Sequence, residues 1–146
     1  MTNNKQAILL VAFAFYSLII FLRGIKEAIK KNNPYKETPF LFLMGIFVWG
    51  DALILAPFWF ILSLVALFLK NGRFFLIGTS VFWLVRSIGE TIYWINQQFS
   101  PLKRNPPEKM RGYKIIKNDS IWFIYQIFWQ TISIAAIIAL IYLIRL

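Results

Sequence analysis

Four stretches of the chain are almost continuously apolar, and short polar segments separate them. A helix needs roughly 17–25 apolar residues to cross a bilayer. The runs predict membrane-spanning helices at about 7–25, 40–69, 74–99 and 121–144. Only Lys70-Asn71-Gly72-Arg73 separates the second from the third, so these two should form a hairpin. The longer connectors are 23–39 and 100–120, the latter stiffened by Pro101, Pro106 and Pro107. The expected fold is an all-α, polytopic membrane protein, a four-transmembrane-helix bundle in a single domain over 1–146. The second run is long enough for about 45 Å of helix, against a hydrocarbon core of about 30 Å. It must therefore tilt, bend or begin in the interface, and Pro57 is the expected bend. Lys5 and Ala12-Phe13-Ala14 imitate a secretory signal, but cleavage there would leave an apolar stump, so the first run reads as a retained helix.

Composition strengthens this picture. The chain is 59% hydrophobic and 15% charged, whereas soluble domains run about 45–50% and 25%. It has no histidine and no cysteine, which removes thiol nucleophiles, disulfides, imidazole bases and the usual zinc sites. Sixteen basic residues against six acidic give a net charge of +10. Eleven of the basic residues lie on the two long connectors; Lys5, Lys70, Arg73 and Arg145 lie toward the other side. By the positive-inside rule the connectors are cytoplasmic and both termini extracytoplasmic, with a bacterial inner membrane as the expected location. The basic loops should meet anionic lipid headgroups; no nucleic-acid-binding module accompanies the charge. Gly24–Lys31 could prolong the first helix along the interface, with Ile25, Ala28 and Ile29 toward lipid. Asn118-Asp119-Ser120 matches a glycosylation acceptor but falls on the cytoplasmic side, and so reads as chance.

Three ionisable residues interrupt the apolar runs: Asp51, Arg86 and Glu90. Each costs about 2.5–3.5 kcal/mol at mid-bilayer on insertion scales. Counted inward from the cytoplasmic side, Asp51 is twelve residues past Pro39, and Arg86 and Glu90 are fourteen and ten before Ser100. Continuous helices would bring them within about 6 Å of one another in depth. Arg86, Glu90, Tyr93 and Gln97 share one helical face, as do Gln126, Gln130 and Ser133 on the fourth run. Tyr16 and Ser17 fall near the same level. The expectation is a polar chamber in the cytoplasmic half, sealed by the aliphatic stretch Ile134 to Ile144.

Interhelical polar contacts average only about 0.6 kcal/mol, weak compensation for three intramembrane charges. The favoured reading is a site built from Asp51, Arg86, Glu90, Tyr93, Gln126 and Gln130. It would bind or transport a small cation, proton or organic solute, in a homo-oligomer or with a membrane partner protein. No cofactor, metal or catalytic constellation is expected, and the reading leans away from an enzyme. In size and helix number the chain resembles small multidrug transporters, which place their essential acid on the first helix; here that helix has none. Asp51-Ala-Leu-Ile-Leu-Ala-Pro57-Phe-Trp, followed by an acid on the third helix, looks like the EXPERA group of sterol isomerases and related receptors. That resemblance implies a lipid- or sterol-type ligand, or isomerase-like chemistry resting on Asp51 and Glu90 in place of the histidine the isomerases use. A structural or assembly subunit is the remaining alternative, since Gln, Ser and Thr stripes also dock helices.

Overall fold

A computed structural model describes residues 4–102 and 104–145; Lys103, counted above among the connector cations, lies outside them. The protein is 78% helical, with no strands among the described residues. Among the described residues, four helices are long and apolar enough to span a membrane, which suggests an integral membrane protein. The chain forms two compact units, Met1–Gly78 and Thr79–Leu146.

The first unit holds α1 (Asn4–Gly24), α2 (Trp49–Phe68) and the first residues of α3 (Gly72–Phe99). The buried positions of α1 are Leu10, Ala14, Ser17, Ile20 and Gly24, and those of α2 are Trp49, Ala52, Ala56, Trp59, Ser63 and Ala66. Both sets recur every three or four residues, which makes a single stripe on each helix. The stripes are rich in Gly, Ala and Ser, which let two backbones approach closely. At Gly24 that approach is tight: a β-carbon there would lie 2.9 Å from the Ala52 β-carbon. Farther along the pair the Phe13 ring meets Trp59 edge-on at 5.8 Å and Phe75 at 5.5 Å.

Beyond Gly24 the first helix loosens into a π-helical turn, Ile25–Lys30, closed by Lys31 N–H donating to Lys26 O over five residues at 3.1 Å. The wider turn carries Glu27 at 8% exposure, and Lys31 Nζ meets its Oε1 at 2.7 Å. Asn32 then ends the element in the left-handed region (φ 52°), a conformation that asparagine tolerates better than most residues.

The second apolar run is not one long helix. Pro39–Met44 form a 3₁₀ turn, Gly45 reverses the chain at φ 65°, and α2 begins only at Trp49 after an extended Val48. Proline supplies the start of the 3₁₀ turn, and glycine is the residue that takes a left-handed conformation without a β-carbon penalty. The length excess in the sequence is thereby absorbed, because the 20 residues of α2 correspond to about 30 Å of helix. The helix continues through Pro57.

The second unit pairs the rest of α3 with α4 (Ser120–Arg145). Trp83 stacks on Trp129 at 6.5 Å, and Trp94 leans on Tyr125 at 4.7 Å. The Ser87 and Ser133 hydroxyls meet at 2.7 Å across the same two helices. The connector contains a short 3₁₀ turn, Pro107–Lys109. Asn118 has a local structural role: its Oδ1 accepts the Ser120 N–H at 2.9 Å at the start of α4.

Candidate functional site

The charges within the apolar runs fall into two different environments. Asp51 is the third residue of α2, not twelve residues into a helix. Its Oδ2 accepts the Phe47 N–H at 2.9 Å and the Val48 N–H at 3.3 Å. An acid at this position also suits the positive end of the helix dipole. The depth that places Asp51 beside Arg86 and Glu90 in the sequence counts Pro39–Val48 as helix, and the reversal at Gly45 removes that premise. Asp51 works on the backbone of its own unit.

Arg86 and Glu90 lie one turn apart near the middle of α3, with Arg86 Nη2 3.4 Å from Glu90 Oε1. Their side chains are 26% and 18% exposed. The pair is therefore neither sealed nor fully solvated. Around it, most polar side chains in the second unit bond to one another or to backbone. Ser87 Oγ donates to Trp83 O at 2.6 Å, and Thr91 Oγ1 donates to Ser87 O at 2.8 Å.

Toward the connector, Tyr93 OH accepts a hydrogen bond from Asn105 Nδ2. Gln97, 3% exposed, accepts the Arg104 and Asn105 backbone N–H groups at 3.1 and 3.0 Å. Trp122 Nε1 donates to Asn105 O at 2.9 Å, and Gln98 Nε2 donates to Gln126 Oε1 at 2.7 Å. The connector is thus folded back against the start of α4 and the end of α3. Gln130 is half-buried one turn beyond Gln126.

Tyr93 and Gln126 are accordingly engaged in the second unit, together with Gln97, Gln98, Asn105 and Trp122. Of these, Gln98, Asn105 and Trp122 carried no site signal in the sequence. Gln98 follows Gln97 off the polar stripe, and Asn105 sits among prolines in a connector read as a loop. Of the first-helix residues expected near the chamber, Ser17 is fully buried and its hydroxyl returns to Phe13 O at 2.8 Å, while Tyr16 is 41% exposed. Among the described residues no group of three or more acidic side chains could hold a metal ion.

No protein-family model matches the chain, and no curated protein or solved structure matches it either.

Proposed function

We propose that the protein is an integral membrane protein that binds a small organic cation at the Glu90 carboxylate, with Arg86 as the resident counter-charge, and that it exchanges or transports this solute. The carrying observation is the partly exposed Arg86–Glu90 pair at 3.4 Å in the middle of an apolar helix. A guanidinium and a carboxylate there cost insertion energy that an aliphatic pair would not. A cation arriving at Glu90 competes with Arg86 for the same oxygens. Tyr93, one turn farther along and half-buried, supplies an aromatic ring suited to a weakly hydrated charge. Asp51 is left out of this ligand set because its carboxylate serves the Phe47 and Val48 amides. The basic charge of the connectors supports a cytoplasmic opening for the site, by the positive-inside rule.

The test is equilibrium binding of tetraphenylphosphonium to the purified chain in lipid nanodiscs. Saturable binding that falls about tenfold or more in Glu90→Gln is the expected result. Arg86→Gln should bind at least as tightly as the parent, because the competing cation is gone. Equal binding by the parent and Glu90→Gln, or no saturable binding in either, overturns the proposal.

A further inference from the structure

The stretch between Lys36 and Asp51 satisfies its own backbone to an unusual degree for a segment with little regular structure. Trp49 N–H and Gly50 N–H donate to Lys36 O and Pro34 O at 3.2 and 2.8 Å. Thr38 N–H donates to Phe47 O at 2.8 Å, and its hydroxyl donates to Ile46 O at 2.9 Å. Gly45 N–H and Ile46 N–H return to Phe42 O and Leu41 O at 2.8 and 3.3 Å, while Asp51 takes the Phe47 and Val48 amides. The Met44 carbonyl accepts the Trp59 indole N–H at 2.8 Å. Thr38, Leu41, Met44 and Ile46 are buried. Non-helical backbone survives at membrane depth only when protein satisfies it in this way.

The bond from Trp59 also sets the depth. Trp59 is ten residues beyond the start of α2, about 15 Å along the axis. A helical side chain leans back over the preceding turn, so Met44 lies about 5–10 Å below the first residue of α2. All of α2 is needed to cross a core of about 30 Å, so the tip cannot be lifted clear of it. That tip presents Phe40, Phe42 and Leu43 outward at 59%, 39% and 84% exposure. At its mouth the exposed Arg23 guanidinium lies 5.2 Å from the Trp49 ring centre and 5.9 Å from that of Phe40. Lys26, Lys30 and Lys36 are exposed on the same connector.

We infer that Pro39–Val48 is a re-entrant hairpin seated in one leaflet, and that with Arg23 it forms a binding surface for an anionic phospholipid. Acyl chains lie against Phe40, Phe42 and Leu43. The phosphate is met by Arg23, whose orientation the two rings hold, with the neighbouring lysines adding attraction. The inference rests on the helices spanning a membrane but not on the Glu90 site.

The chain has no cysteine, so a nitroxide can be placed at Leu43→Cys, at Ile61→Cys in α2 and at Tyr35→Cys in the connector. In vesicles of phosphatidylcholine and phosphatidylglycerol, the labels at 43 and 61 should collide with oxygen and exclude a water-soluble nickel chelate. The label at 35 should do the reverse. A chelate-accessible 43 beside a protected 61 overturns the hairpin inference alone; a chelate-accessible 61 overturns the membrane-spanning reading beneath it. Native mass spectrometry from the same vesicles should show phosphatidylglycerol retained over phosphatidylcholine, with the preference reduced about fivefold in Arg23→Gln. An unchanged preference in that variant, or displacement of the lipid by inorganic phosphate alone, overturns the lipid assignment.

Discussion

The two units use the polar groups of their apolar segments in different ways. In the first, Asp51, Thr38 and Trp59 reach backbone atoms: Thr38 closes an irregular hairpin, and Asp51 and Trp59 tie it to the helix that follows. In the second, Ser87 meets Ser133 and Gln98 meets Gln126, so two bonds run from side chain to side chain across two helices. The energetic stakes differ accordingly. A lost side-chain partner strands an amide or carbonyl that cannot move away, whereas two facing side chains can re-pair or rotate. An ionised residue in an apolar run is thus a poor guide to function until a partner is known: Asp51 meets backbone amides, whereas Glu90 meets a guanidinium.

This contrast can be broken most severely at the close contact of α1 with α2 in the first unit. Gly24→Leu should cost about 3 kcal/mol, because the added side chain meets the Ala52 β-carbon, which cannot swing aside. Thermal unfolding in detergent should show this as the largest drop in Tm of the substitutions considered. Next comes Asp51→Ala, expected to lose about 2 kcal/mol by stranding the Phe47 and Val48 amides. Asp51→Asn should recover part of that, since an amide oxygen can still accept, and hydrogen exchange at 47 and 48 should follow the same order. The smallest effect belongs to the second unit. Ser87→Ala should cost about 0.6 kcal/mol, the usual size of an interhelical hydrogen bond in a membrane. A loss as large as that of Asp51→Ala would erase the distinction between the units.

Much of the architecture was legible in the apolar pattern. The second and third runs end and begin around Lys70 and Gly72 as expected, and the fourth helix spans Ser120–Arg145 against an expected 121–144. The miss lies in one place. Phe40–Val48 is as hydrophobic as a helix, and hydropathy does not distinguish a buried helix from a buried irregular segment. The available signals were Pro39, which suits a first turn, and Gly45, which permits a reversal; both were also compatible with a continuous run. The proximity of Arg86 and Glu90 was legible because a spacing of four on one helix is a local property. The depth of Asp51 was not legible, because it depended on the conformation of the ten residues Pro39–Val48.

Four apolar helices, their approximate ends, the charge asymmetry of the loops and the lack of thiol and imidazole side chains follow from composition and period, to which every residue contributes independently. The reversal of the backbone at Gly45, the closing of the resulting hairpin by Asp51 and Trp59, and the anchoring of the second connector by Gln97 depend instead on how the chain packs. Each of these is a hydrogen bond between groups separated along the chain or by a turn. Which donor finds which acceptor depends on where the packing of small residues, Gly24 on Ala52 above all, brings the backbones.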